Sequence, residues 1–279
     1  MRGGRILFAV LRLLSSLRWL ALLLPVLAVL AVGCGEAPRE PREPTPGKAH
    51  FGITTYNIKV EQSLDPETVA AIGSTGADIL CLQEINASWE AVLRERYASS
   101  YPYMLFAPKE NAGGLGFLSR YPLIDRGVIQ PPAGVHPGWI AEVVLPTFTL
   151  QVVHVHLRSL FNGEGSPPAN FFEVGDLHRE EMQLFFQHVD PSLPTVVAGD
   201  FNEGIEGAAV RWLEDRGFQN TLHAFRPGQF TWAGRSVGQT YDLAIDHVMA
   251  GPAFELLDAR TSRLGNSDHL PVTAQLELR

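Results

Sequence analysis

"VVAGDFNEG", residues 196–204, begins as a buried strand and ends in an acid and an amide. The valines suit a pleated, enclosed strand. Side chains at i and i+2 of a strand share a face, so Asp200 and Asn202 are expected to project together from its C-terminal end. The competing reading is a strand followed by a polar turn, because Gly, Asp and Asn are common turn residues. The flanking sequence decides between them.

Strand and helix patterns alternate on both sides of this stretch. "HFGITTYNIKV" (50–60) and "ADILCLQE" (77–84) read as strands, with the helix "PETVAAIGST" between them. Asp65 stands at the N-cap of that helix and Pro66 at its first position. Asn86 caps a second helix, "NASWEAVLRERY", and the strands "GGLGFLSRY" and "PLIDRGVI" follow. "GWIAEVVLP" and "FTLQVVHVHL" form an expected hairpin turning near Pro146 and Thr147. After an amphipathic helix, "GDLHREEMQLFFQHV", come the opening strand, the helix "GAAVRWLEDRG", and the strands "LAIDHVMA" and "PVTAQLEL". No short repeat is visible. Mixed strands and helices in one chain imply an α/β (α+β) sandwich.

The amino end has a different character. Residues 1–33 hold four arginines, no acid, and the apolar run "WLALLLPVLAVLAVG" just before Cys34. This reads as an export signal or membrane anchor. "LAVGC" resembles a lipoprotein signal, which makes Cys34 the lipidation candidate; an uncleaved helix and plain secretion are the alternatives. All three place the remainder outside the cytoplasm, and a lipid or helical tether would hold it in the cell envelope. Residues 34–49, with "EAPREPREPTPGK", read as a Pro- and charge-rich tether, and 50–279 as the catalytic domain. Cys81 sits in an apolar strand and is expected to be a small core residue.

The whole chain has a formal net charge of −8, and removing the four N-terminal arginines leaves −12. No basic run follows, so a long-range electrostatic funnel for nucleic acid is not evident.

Polar residues recur at strand ends: Asn57, Glu84, His156, Asp200 with Asn202, Asp246, and Asp268 with His269 before the last strand. Hard cations such as Mg²⁺ take oxygen ligands, usually one or two carboxylates with waters and substrate phosphate oxygens. Glu84 and Asp268 can supply the carboxylates. Amides and histidines donate hydrogen bonds to phosphate, and a carboxylate fixes the tautomer of a working histidine. These are the parts of metal-assisted attack of water on phosphorus.

Read in order, "TYNI", "LQE", "VHL", "GDFN", "IDHV" and "SDHLPV" resemble the endonuclease/exonuclease/phosphatase superfamily, the fold of DNase I, over residues 51–277. The resemblance implies a four-layer sandwich: two mixed sheets packed face to face, helices outside, the site at one edge. It implies a metal-dependent phosphoric ester hydrolase using Mg²⁺ or Mn²⁺. Glu84 would be the principal metal ligand with Asn57 beside it, and Asp268 would hold the metal or its waters. Asp200 and Asn202 would orient water and phosphate, His269 with Asp246 would act as base or phosphate clamp, and His156 would stabilise developing charge. His154, Arg158 and Trp232 are weaker substrate-binding candidates, with core packing, a solvated strand end and loop packing as their ordinary readings. The substrate is a phosphate ester, of lipid or small molecules, or nucleic acid cut without sequence specificity by a tethered or secreted nuclease. A catalytically silent binding module is the reading from another class. The chain most resembles bacterial envelope-associated members and is expected to act as a monomer.

Overall fold

Among the described residues, fourteen strands and five helices enclose an apolar layer between two sheets, with further apolar layers under the helices. The structure, a computed structural model, describes residues 37–62, 65–132, 136–159, 167–236 and 239–279, so Cys34 and the expected signal lie outside the described residues. One sheet orders its strands β13 (Phe254–Thr261), β14 (Val272–Leu278), β1 (His50–Asn57), β2 (Ile79–Gln83), β4 (Leu115–Ser119) and β3 (Tyr103–Ala107). The other orders β5 (Leu123–Ile129), β6 (Gly138–Val144), β7 (Thr149–His156), β8 (Thr195–Asp200), β12 (Asp246–Ala250) and β9 (Gln219–Asn220). β10 (Trp232–Ser236) and β11 (Gln239–Leu243) pair as a separate ribbon.

Each sheet has one parallel pair, β1 with β2 and β7 with β8. Parallel neighbours need a crossover, and a helix supplies it in both. α1 (Pro66–Ser74) joins β1 to β2, and α3 (Pro167–Phe186) joins β7 to β8. The caps of α1 and of α2 (Ala87–Tyr97) form as expected: Asp65 accepts from Thr68 N and Asn86 from Trp89 N. α4 (Ala208–Glu214) and the one-turn α5 (Thr221–Phe225) complete the set.

Strand alternation builds the layers. Phe51, Ile53, Ile79, Cys81, Val152, Val196, Ala198, Val248 and Ala274 point between the sheets. Their strand neighbours point the other way: Tyr56, Leu80 and Leu82 pack with the buried faces of α1 and α2, and Val153, Val155 and Val197 with those of α3 and α4. The result is the expected four-layer α+β sandwich, with Cys81 buried in its centre.

Three differences from the sequence reading have local causes. β3 and β13 were not expected as strands. β3 is an edge strand without apolar alternation, and β13 carries an irregularity between Leu256 and Asp258 that breaks its period. The tether reading is corrected from Pro38 onward, where the compact unit Pro38–Arg279 begins. Arg39 N donates to Ala224 O (2.8 Å), Arg42 N to Leu257 O (2.9 Å) and Thr45 Oγ1 to Glu277 Oε1 (2.9 Å). Glu277 is buried, a buried carboxylate needs donors, and this segment supplies them. Finally, β8 stops at Asp200, and Asn202 lies in a turn with φ 51°. The pair therefore does not share a strand face. Among the described residues, no helix is long and apolar enough to cross a membrane.

Candidate active site

The face between the sheets changes character along the strands. Apolar side chains give way to Thr55, Gln83 and His154, and one step further to Asn57, His156 and Asp200. Register sets the last group side by side. His156 pairs with Asp200 across the parallel β7–β8 ladder, and Asp246 pairs with Asp200 across the antiparallel β8–β12 ladder.

Asp200 Oδ2 is the focal atom. Asn57 Nδ2 donates to it at 3.1 Å, His156 Nε2 lies 3.6 Å away and His269 Nε2 3.8 Å away. Asp200 Oδ1 accepts from Asn202 N at 2.9 Å, and the left-handed turn at Asn202 permits this return. Asn202 Nδ2 donates to Leu157 O (2.9 Å), tying the ends of β7 and β8 together. Asn57 Nδ2 also donates to Glu84 Oε1 at 3.0 Å, while Asn57 Oδ1 accepts from Lys59 N at 3.1 Å. A backbone N–H can only donate, which fixes the amide orientation. Asn57 therefore turns its NH₂ toward the acids and brackets Glu84 with Asp200. Glu84 holds φ 69°, and its Oε2 accepts from Val60 N at 3.0 Å.

On the far side, His269 Nδ1 donates to both oxygens of Asp246, at 3.0 and 2.9 Å. Asp246 is fully enclosed, and its backbone N–H donates to Thr231 Oγ1. Burial alone would push His269 down, but the Asp246 and Asp200 carboxylates outweigh it and hold His269 up to about 10. Burial, with the Asp246 charge, raises Asp200 above the usual carboxylate range. His156 is held well below the ordinary histidine value by burial and by neighbouring histidines, so it is neutral.

The donor chemistry fits a hard cation at Glu84 and Asp268. Both are only partly buried. Each Glu84 oxygen has a single hydrogen-bond donor, and Asp268 Oδ2 already faces a cation, the Lys59 ammonium, at 3.5 Å. Asp200, Asp246 and His269 also present ligand atoms within 4.8 Å of one another. A metal in that second group would have to break the His269–Asp246 hydrogen bonds in an enclosed site, whereas Glu84 and Asp268 have open sides. Both groups offer hard donors to a divalent cation.

The weaker candidates separate. Trp232 reaches the rim, where its Nε1 donates to Asp268 Oδ2 (3.4 Å). Arg158 follows β7 two residues beyond His156 and is half-buried. His154 is 0% exposed; its Nε2 lies 2.6 Å from Gln83 Nε2 and its ring packs edge-on against Phe117, so it has no surface to offer a substrate. It is corrected to a core residue, one layer beneath the site. The sequence reading missed Ser267, which donates to Asn57 O and accepts from His269 N, and Thr231, which anchors Ile245 N and Asp246 N. It also missed His136, whose ring stacks on His156 at 4.1 Å and 14°.

The family model for the endonuclease/exonuclease/phosphatase family matches residues 54–269. Among solved structures, the chain is similar to an endonuclease/exonuclease/phosphatase from Beutenbergia cavernae DSM 12333, with 21% identity over 82% of this chain and 72% of that one and a TM-score of 0.64. It is similar to D. rerio TDP2 complexed with single strand DNA product, with 15% identity, 82% and 99% coverage and a TM-score of 0.60. A functionally unknown conserved protein from Enterococcus faecalis V583 gives 15% identity, 82% and 100% coverage and a TM-score of 0.60. At these identities the likeness is one of fold. No curated protein matches the chain.

Proposed function

The chain belongs to the endonuclease/exonuclease/phosphatase family and is a metal-dependent phosphoric ester hydrolase, and from this we propose that it is a Mg²⁺-dependent phosphodiesterase working outside the cytoplasm. The observation that carries the reading is the convergence of Asn57, His156 and His269 nitrogens on Asp200 Oδ2. The gaps of 3.6 and 3.8 Å to the two histidines exceed hydrogen-bond length and suit an intervening water or phosphoryl oxygen.

Asp200 takes the proton of the attacking water at Oδ2. His269, held cationic with its Nδ1 committed to Asp246, donates to a phosphoryl oxygen and has no site left to accept that proton. Neutral His156 donates from Nε2 to a second phosphoryl oxygen, and Asn57 keeps Glu84 and Asp200 in register. Glu84 and Asp268 would hold the divalent cation, which supplies charge neutralisation at phosphorus when bound.

Support for the setting comes from residues 1–33 and Cys34, whose pattern is that of an exported, lipid-tethered chain. For substrate, lipid or small phosphodiesters suit the acidic chain. The nuclease reading is favoured by the DNA product in the D. rerio TDP2 complex. Turnover of bis(4-nitrophenyl) phosphate tests the class: it should require Mg²⁺ or Mn²⁺, stop in excess chelator, and disappear in Asp200→Asn. Undiminished turnover in chelator would overturn the metal assignment. A panel of plasmid DNA, RNA, sphingomyelin and phosphoinositides then separates the substrate readings. Mass spectrometry of the mature amino terminus should find a diacylglyceryl Cys34, and a soluble product beginning elsewhere would refute the tether.

A further inference from the structure

We propose that Lys109, His136 and Arg158 form a second anion subsite beside the catalytic centre, which takes a phosphate adjacent to the one being hydrolysed. The inference rests on the phosphoesterase reading and narrows its substrate to esters that carry a second phosphate.

The subsite begins at His156. The His136 ring lies parallel to it at 4.1 Å, so any group that His136 holds sits next to the reacting phosphate. Arg158 leaves β7 two residues after His156, and its Nε is buried without a hydrogen-bond partner. His136 Nδ1 is likewise buried and unpartnered. Gly113 brings the remaining member close: a Cβ there would stand 3.2 Å from Lys109 Cδ and 3.4 Å from His136 Nδ1. The nearest atom to that Cβ position is Asn111 Oδ1 at 3.1 Å, so the glycine lets Lys109, His136 and the Asn111 amide approach one another.

Charge completes the case. Burial, then Lys109, then Arg158 push His136 down to about 4, so both cations act on the ring from close by. Most described basic side chains in this acidic chain have a carboxylate partner, among them Arg42, Lys59, Arg120, Arg126 and Arg211. Among the described residues, neither Lys109 nor Arg158 has a carboxylate within ion-pair range. Lys109 Nζ donates to the neutral Gln130 Oε1 at 3.1 Å. Glu181, the carboxyl that senses Arg158, is buried without a hydrogen-bond partner and pushed up to about 7. With only the partly neutralised Glu181 acting on Arg158 and no carboxylate paired with Lys109 among the described residues, these donors are short of counter-charge in a partly desolvated site, and a bound phosphate supplies it. The second phosphate has two chemical sources, a nucleic-acid backbone or a phosphorylated lipid headgroup.

Two matched substrate pairs test this. One is the 4-nitrophenyl ester of thymidine 5′-phosphate with and without a 3′-phosphate. The other is glycerophosphoinositol with and without a ring phosphate. Wild type should prefer the doubly phosphorylated member of at least one pair through KM, by about tenfold, equivalent to one charge-assisted hydrogen bond. The pair with the larger ratio identifies the source. Lys109→Gln and Arg158→Gln should collapse that ratio. Misfolding lowers both members together and leaves the ratio intact, so the readout is protected from it. A wild-type ratio near one in both pairs, or one unchanged in both variants, overturns the subsite. If wild type turns over neither pair, the phosphodiesterase reading fails instead. The subsite is then judged by binding of inorganic phosphate, followed through the His136 ring protons by NMR. A shift in wild type that is lost in Lys109→Gln supports it, and no shift overturns it.

Discussion

Two buried histidine–carboxylate pairs lie on opposite faces of the same sheet. On the inner face, His269 Nδ1 meets Asp246 while Nε2 looks across 3.8 Å toward Asp200. On the outer face, His178 of α3 places Nδ1 3.0 Å from Glu203 Oε2 and Nε2 2.7 Å from Arg158 O. A carboxylate and a carbonyl both accept, so both His178 nitrogens donate and the ring is an imidazolium. Glu203 further accepts from the N–H groups of Ala208, Ala209 and Val210 at the start of α4. The chemistry of the two pairs is alike. The difference is that one has an uncommitted nitrogen facing the site and the other has none. His178 clasps the loop after β7 to the loop after β8, next to His156 and Asp200, while His269 keeps its Nε2 turned toward Asp200.

The largest effect should come from the pair with the free nitrogen. His269→Ala should lower turnover by about 10²- to 10⁴-fold, as expected for loss of a positioned proton donor. The unfolding midpoint should move little; near wild-type turnover would place His269 outside the chemistry. Asp246→Asn, which keeps the shape and weakens the hold on the ring, should lower turnover by about 10- to 100-fold. Steady-state kinetics at saturating metal distinguish these from metal loss.

His178→Ala should reverse the pattern. Breaking a buried pair costs about 3 kcal/mol at the lower end, and Glu203 keeps three backbone donors. Urea unfolding should report a loss of that order, with turnover of the folded fraction falling less than in Asp246→Asn. A stable but inactive His178→Ala would dissolve the distinction between the pairs.

The smallest effect is a slope. Burial would push His178 down, but the Glu203 hydrogen bond and charge and the Arg158 carbonyl raise it above the ordinary value. A histidine raised in the folded state contributes fully below its unfolded pKa of about 6.5 and loses that contribution as pH rises through the folded value. Stability should therefore decline on the alkaline side. His178→Gln should flatten the first part of the decline, leaving the part due to His269, which extends to about 10. An unaltered slope in His178→Gln would mean that the ring is neutral.

Much of the inner face was legible in the chain because strands repeat with period two. Asn57, His156, Asp200 and Asp246 each stand at a strand end on the phase of the inward apolar residues, and the superfamily pattern followed from their order. His154 shows the limit. It has the same phase and chemistry as His156, and depth alone separates a core residue hydrogen-bonded to Gln83 from one at the site. Asn202 was drawn into the right neighbourhood for the wrong reason, since a left-handed turn and not strand alternation brings its N–H back to Asp200. His136 had no signal, because it lies on an irregular loop whose partner is 20 positions away in sequence.

Local periodicity and the order of motifs were enough to specify the layers and to name most of the side chains that meet around Asp200. Whether a histidine has a free nitrogen was settled only when the chain closed on itself. His178 reads in sequence as one polar position on an amphipathic helix, and nothing near it names Arg158 O or Glu203 as acceptors. A ring's protonation and role depend on what meets each nitrogen within hydrogen-bond reach, and those groups arrive from segments that only tertiary packing brings together.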